Sequence, residues 1–210
     1  MEQIWNDHRE AAEVHRQVRS MARNILTPGM KLVDLASQME TKARELIGED
    51  GPRSGLAFPI SLSKNFIAAH FTPEFDSQMT VEAEDLLKID FGIHKNGRIV
   101  DCAFSFAFED RYDALMDTVR DATNAGIKRA GIDVKLSEVG NDIAEVFDGA
   151  EIEIFQDGKN QTVPSKLKEK FLKSKYASCW RPILYVRVLF NLDNRIGIIY
   201  SFIFWFFIIW

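Results

Sequence analysis

The 210-residue sequence is poor in cysteine, in net positive charge and in N-terminal apolar runs. Its two cysteines, Cys102 and Cys179, lie 77 residues apart and outside any CxxC or Cys/His cluster. That spacing excludes a disulfide scaffold or a zinc finger and fits a reducing compartment. The net charge of −5 provides no basic footprint for nucleic acid. The first residues are charged and periodic rather than basic and then apolar, so no secretory signal is expected and a cytoplasmic location is predicted.

The charge is distributed unevenly along the chain. Residues 160–210 hold eight basic and two acidic side chains, a net of +6, which leaves −11 on residues 1–159. The last fifteen residues, 196–210, contain no charged side chain. The overall shares of 46% apolar and 27% charged residues are typical of a folded protein. We therefore predict one domain over residues 1–159 and a divergent apolar tail over residues 160–210.

Hydrophobic periodicity predicts an α+β fold with an antiparallel hairpin at its centre. Apolar residues at three- and four-residue steps predict helices over 6–26, 33–47, 110–130 and 137–147. The first helix has Asn6 or Asp7 as its expected cap. Apolar-rich segments predict strands over 86–91, 99–108 and 151–155.

The Asn96-Gly97 dipeptide lies between the first two predicted strands and is a strong signal for a two-residue type I′ turn. With that turn, Gly92 opposes Asp101, and Asp90 lies on the same face as both. The two carboxylates are then diagonal neighbours, roughly 7 Å apart at the backbone, and the glycine leaves space above the sheet. Such a pair among apolar strand residues repels unless a cation binds it, and two divalent ions bridged by one aspartate are a common solution. The alternative is that both aspartates are solvated, or that a bulge separates them.

Other candidate residues are weaker by pattern alone. His70, among small and apolar residues, is more often a packed histidine than a substrate contact. The remaining histidines are expected to face solvent: His8, His15 and His94. Phe58 could line a pocket, although the composition of the surrounding segment favours an apolar loop packed on the core.

Several motifs in order resemble the catalytic domain of type 2 methionine aminopeptidases, in the M24 metallopeptidase family. They include Gly55-Leu56-Ala57-Phe58-Pro59 and Ala68-Ala69-His70-Phe71-Thr72-Pro73, together with residues 6–19, 88–104 and 121–134. The resemblance covers about residues 5–158. It implies the N-terminal half of the "pita-bread" α+β fold with its antiparallel metal hairpin. The implied activity is removal of the initiator methionine from nascent proteins.

The resemblance also implies site residues, cofactors and partners. Asp90 would bind one metal ion and Asp101 would bridge two, which in the family are divalent Co, Mn, Zn or Fe. His70 would position the substrate and stabilise the transition state, and Phe58 would border the methionine pocket. Nascent peptide N-termini and the ribosome are the implied partners, whereas nucleic acid is not expected.

The sequence departs from the family pattern after the hairpin. The family completes its ligand set with one histidine and two glutamates, but this chain has no histidine after His94 and only Glu169 after Glu153. We therefore expect a truncated, inactive aminopeptidase-like chain with weak metal binding. A non-catalytic binding module with the same fold, associating with the ribosome or protein partners, is the alternative.

The tail, residues 160–210, has three explanations. A membrane span is disfavoured, since fifteen residues reach about 22 Å as a helix, against a hydrocarbon core of about 30 Å. Buried strands packed on a partner surface are the second explanation. The third, which we favour, is a translation product of a retained intron or a shifted frame, because the tail lacks the periodicity seen upstream.

Overall fold

The computed structural model describes residues 2–156 and 159–164. A first compact unit ends at Phe108, and a second begins at Glu109. The first unit contains two helices, α1 (Glu2–Ile25) and α2 (Leu32–Ile47). Four strands follow in the same unit: β1 (Ser54–Leu56), β2 (Ser61–Lys64), β3 (Leu86–Lys95) and β4 (Arg98–Ala107). Of the predicted tail, residues 160–164 are described, whereas residues 165–210 lie outside the described residues.

The second unit is a helix pair followed by a hairpin. A 3-10 turn at Asp110–Tyr112 leads into α3 (Asp113–Arg129), which packs against α4 (Leu136–Gly149). Strands β5 (Glu151–Gln156) and β6 (Lys159–Pro164) form a separate two-stranded antiparallel sheet. The α+β prediction is confirmed in both units, and the predicted helices are confirmed within a few residues at most ends.

The central strand of the first unit is β3, which pairs antiparallel with three other strands. One edge of β3 pairs along its full length with β4. Its remaining ladder is shared by β2, opposite Leu87–Asp90, and by β1, opposite Ile93–Lys95. Between β1 and β2 the chain makes a detour at Phe58-Pro59, where Ala57 N–H donates to the Gly92 carbonyl at 2.9 Å. The sheet is therefore continuous at β3 and interrupted beside Gly92.

The two faces of this sheet differ in chemistry, because side chains alternate along each strand. The apolar face packs against α1 and α2. Its fully buried members on β3 are Leu87, Ile89, Phe91 and Ile93. The other face of β3 presents Lys88, Asp90, Gly92 and His94. The alternating sequence pattern thus places α1 and α2 on the apolar face of the hairpin and the charged residues on the opposite face.

Helix α1 begins earlier than the sequence predicts, so neither Asn6 nor Asp7 is its cap. The helix starts at Glu2, and Asp7 is buried within it with 4% exposure. The Asp7 carboxylate accepts hydrogen bonds from Gln3 Nε2 at 2.9 Å and from Asn96 Nδ2 at 3.1 Å. Asp7 therefore ties the start of α1 to the turn of the hairpin, a tertiary role that the local pattern does not reveal.

The prediction that His15 faces solvent is wrong. His15 is 3% exposed and stacks on the Phe91 ring, with centroids 3.9 Å apart and planes 4° from parallel. Its Nε2 lies 3.0 Å from the Phe91 carbonyl oxygen. His8 and His94 are half-buried. The apolar periodicity does not predict burial of His15, because histidine is counted as polar. An imidazole can nevertheless pack in the core as an aromatic ring when its nitrogen bonds to a backbone group.

Burial of His15 predicts a loss of stability in mild acid. Desolvation lowers the pKa of His15 from 6.5 to about 4. The unfolded chain binds the proton more readily, so this contribution is complete above pH 6.5 and is lost as the pH falls toward 4. The lost free energy of unfolding is about 3 kcal/mol. Urea titrations of the wild type between pH 4 and 7 should show the free energy of unfolding falling as the pH is lowered. In His15→Phe the slope should be smaller, and equal slopes would contradict the assignment.

Within the described ranges, no helix combines the length and the apolar run that crossing a bilayer requires.

Candidate metal and peptide site

The hairpin register confirms the sequence-based pairing. Lys95 pairs with Arg98, Gly92 pairs with Asp101, and Asp90 pairs with Ala103. Both turn residues have positive φ, 48° at Asn96 and 74° at Gly97, as a type I′ turn requires. Since directly opposed residues project to the same face, Asp90 and Asp101 lie on one side of the sheet as diagonal neighbours.

Both carboxylates are buried, which contradicts the alternative that they are solvated. Asp90 is 5% exposed and Asp101 is 1% exposed. Two ionised carboxylates held close together in a buried position repel each other, and a cation is the usual compensation. Carboxylate oxygens are also ligands that suit hard divalent ions, and a single aspartate can bridge two of them. The donor chemistry of this pair therefore fits two ligands of a divalent-ion site.

The described residues contain no group of three or more His, Cys, Asp and Glu side chains arranged to hold a metal ion. Asp90 and Asp101 are the two buried carboxylates on the described hairpin.

The carboxylate face carries further buried polar residues that the sequence analysis missed. Ser61 directly opposes Asp90, and Ser63 opposes Lys88. Ser61, Ser63 and Lys88 are each at most 8% exposed. Lys88 Nζ donates to the Asn65 carbonyl at 2.5 Å. The alternation of polar and apolar residues along 61–64 and 86–91 is the signal that could have identified them.

Phe58 occupies the space above Gly92 that the sequence analysis left open. A Cβ on Gly92 would lie 2.6 Å from Phe58 Cε1 and 3.0 Å from Ala57 Cβ, closer than non-bonded carbons approach. The half-buried Phe58 ring therefore contacts β3 at Gly92, the residue that directly opposes Asp101 and lies two positions from Asp90. The expectation that Phe58 packs on the apolar core is wrong, because the detour between β1 and β2 turns it onto the carboxylate face.

His70 lies in the segment that borders β2 on the side away from β3. The Phe71 carbonyl accepts from Leu62 N–H at 2.6 Å, which holds this segment against the strand that faces Asp90. His70 itself is exposed, and its backbone is left-handed with φ +64°. The expectation of a packed histidine is wrong, since the imidazole belongs to a surface segment beside the carboxylate strand.

The chain belongs to metallopeptidase family M24, which it matches over residues 6–171. This match covers the hairpin, Phe58 and His70.

Within this family the chain is similar to methionine aminopeptidase 2 from several organisms. It is 49% identical to the protein of Dictyostelium discoideum over 162 residues, which are 77% of this chain and 37% of that relative. It is 45% identical to the Schizosaccharomyces pombe protein over 161 residues, again 77% of this chain and 37% of the relative. The chain thus spans little more than a third of the length of these relatives.

Solved structures share the fold at low sequence identity. The prolidase from Pyrococcus furiosus superposes with a TM-score of 0.59 at 15% identity, covering 70% of this chain and 43% of that one. The X-Pro aminopeptidase from Thermotoga maritima gives a TM-score of 0.58 at 17% identity, covering 70% and 41%. The architecture is therefore part of the pita-bread fold, as the sequence analysis predicted.

Proposed function

We propose that this chain carries the first half of an aminopeptidase site that recognises an N-terminal methionine. The observation that supports it most is the placement of Asp90 and Asp101, both buried on one face of the hairpin. The similarity to methionine aminopeptidase 2 adds the substrate class, a peptide with methionine at its N-terminus. The setting proposed for it is the cytoplasm, where nascent chains are the corresponding substrates.

Each site residue has a proposed role. Asp90 and Asp101 hold divalent ions, which supply Lewis-acid activation of water and of a peptide carbonyl when bound. Phe58 presents an apolar ring beside the pair, a suitable wall for a methionine side chain. His70 is exposed, and its imidazole can donate a hydrogen bond to a peptide oxygen.

We propose that the 210-residue chain alone does not hydrolyse peptides. Histidine is a preferred ligand of transition-metal ions, and this sequence has none after His94 to complete a ligand set. Two carboxylates alone bind divalent ions weakly. We expect no release of methionine from a methionyl tripeptide in the presence of Mn²⁺ or Co²⁺. Turnover that disappears in Asp101→Asn would contradict this proposal.

A chimera tests whether the half-site is competent. Residues 1–159 are joined to the part of the Dictyostelium relative that lies beyond its matched region. We expect the chimera to release methionine, and we expect Asp101→Asn in the chimera to abolish that release. A folded but inactive chimera would oppose the aminopeptidase role and favour the alternative, a non-catalytic binding module. Capture of a ribosomal or other protein partner by the 210-residue chain would then support that alternative.

A further inference from the structure

Ser63 is a fully buried polar residue that none of the roles above uses. It lies in β2 on the carboxylate face, at 0% exposure, directly opposite Lys88 and two residues from Ser61, which opposes Asp90. Its Oγ is 3.3 Å from Ser61 Oγ, and it accepts a hydrogen bond from Phe71 N–H at 3.3 Å. A buried hydroxyl with these contacts connects the interior of the sheet to the segment that carries His70.

Phe71 is held at both of its backbone groups. Its N–H donates to the Ser63 side chain, and its C=O accepts from Leu62 N–H at 2.6 Å. These two contacts differ in kind, because the second follows from the course of the backbone and the first depends on the identity of residue 63. Replacing Ser63 therefore removes one contact and leaves the other in place.

His70 immediately precedes this anchored residue and has an unfavourable backbone conformation. Its φ of +64° lies in the left-handed region, which non-glycine residues adopt rarely and at a cost in free energy. Such a conformation persists only when neighbouring contacts hold it. The Phe71 N–H belongs to the peptide unit on the C-terminal side of His70, so its contact with Ser63 restrains that unit directly. The contact at the Phe71 carbonyl anchors the peptide unit that follows.

We infer that Ser63 is a positioning residue for His70. Its hydroxyl fixes the Phe71 N–H, and through that peptide unit it sets the direction in which the His70 imidazole projects from the segment beside β2. Ser63 does not itself touch the peptide substrate. The inference rests on the proposed function for the use of His70 in peptide recognition, but the restraint on His70 is a property of the fold.

The test compares three variants of the full chain by NMR: Ser63→Ala, Ser63→Cys and Ser61→Ala. The readouts are the exchange rate of the Phe71 amide and the imidazole resonances of His70, assigned from His70→Gln. In Ser63→Ala we expect the Phe71 amide to exchange about five to ten times faster, because a hydrogen bond is lost. The His70 resonances should shift or broaden. Ser63→Cys, which keeps a weaker acceptor, should fall between wild type and Ser63→Ala.

Ser61→Ala is the matched control, since it removes a buried hydroxyl from the same strand but not the contact to Phe71. It should leave both readouts within twofold of wild type. Equal effects of Ser61→Ala and Ser63→Ala, or unchanged His70 resonances in Ser63→Ala, would overturn the inference.

A separate measurement distinguishes failure of the inference from failure of the proposed function. Affinity for a methionyl tripeptide in the presence of Mn²⁺ is compared between wild type, His70→Ala and Ser63→Ala. We expect weaker binding in both variants. Displaced His70 resonances in Ser63→Ala with identical affinity in all three proteins would support the restraint and contradict the role of His70 in peptide recognition.

Discussion

Asparagine in place of Asp101 should make the metal-free chain more stable and at the same time weaken its binding of divalent ions. The gain arises because Asp101 is 1% exposed and shares a face with the buried Asp90. The backbones of the two residues are roughly 7 Å apart. Two charges at that distance repel by about 2 kcal/mol at an effective dielectric constant of about 20, and charges that lie closer repel more strongly. Removing one charge relieves that repulsion, whereas Mn²⁺ loses a ligand. Urea unfolding with EDTA and with Mn²⁺ measures both effects.

Asp85→Asn is the matched control for this prediction. Asp85 is also buried, at 6% exposure, but it forms a salt bridge with Lys64 at 2.5 Å. It also accepts a hydrogen bond from Glu82 N–H at 2.7 Å. Neutralising a buried carboxylate that has a cationic partner is expected to destabilise the chain. A loss of stability in Asp101→Asn as large as that in Asp85→Asn would show that no repulsion exists at the hairpin.

Alanine at position 92 should destabilise the chain and displace the Phe58 ring. The added Cβ would lie 2.6 Å from Phe58 Cε1 and 3.0 Å from Ala57 Cβ, so the detour between β1 and β2 must move. Overpacking of this kind typically costs about 1–3 kcal/mol. Since Phe58 is only half-buried, we expect its ring to move outward and the strand pairing of β3 to remain. Thermal unfolding measures the loss of stability, and the NMR ring resonances of Phe58, assigned from Phe58→Leu, measure the displacement.

Gly55→Ala provides a control within the same sheet. Its Cβ would meet Glu49 Oε1 at 3.5 Å and His94 Nε2 at 3.6 Å, which are ordinary contacts. It should change the free energy of unfolding by less than about 0.5 kcal/mol. In a Phe58→Leu background the cost of Gly92→Ala should fall, because the clashing ring atom is absent. A cost of Gly92→Ala that is identical in both backgrounds would exclude Phe58 as its cause.

The central hairpin was predictable because its signals are local. Asn96-Gly97 fixes the turn type, and a two-residue turn then determines every pair up to Asp90 and Ala103. The same register explains why the two aspartates share a face. Strand periodicity of two residues converts a turn assignment directly into a site prediction.

The rest of the site depends on contacts distant in sequence, which local patterns do not encode. Phe58 reaches Gly92 only because the chain leaves the β3 ladder between β1 and β2. His15 is buried by its contact with Phe91, 76 residues away. Asp7 looks like a helix cap in sequence, but it binds Asn96 across the fold. In each case a polar or aromatic residue takes a tertiary partner that its neighbours do not indicate.

The roles of His70 and Phe58 came from the family resemblance rather than from spacing. A histidine among small residues carries no chemical signal of its own, and its left-handed backbone becomes visible only in the structure. Burial of Ser61 and Ser63 on the carboxylate face could in principle have been predicted, because they alternate with an apolar residue in a short strand. Four residues are too few to distinguish such alternation from a loop.

The central claim is that Asp90 and Asp101 form one divalent-ion site. Paramagnetic broadening of backbone amide signals by substoichiometric Mn²⁺ tests it most directly, because the effect is local to the bound ion. The predicted result is early loss of the amide signals of residues 90–92 and 101–103, with an affinity weaker than about 0.1 mM. Asp101→Asn should abolish this pattern. Sharp hairpin signals while amides elsewhere disappear, or the same pattern in Asp101→Asn, would contradict the account.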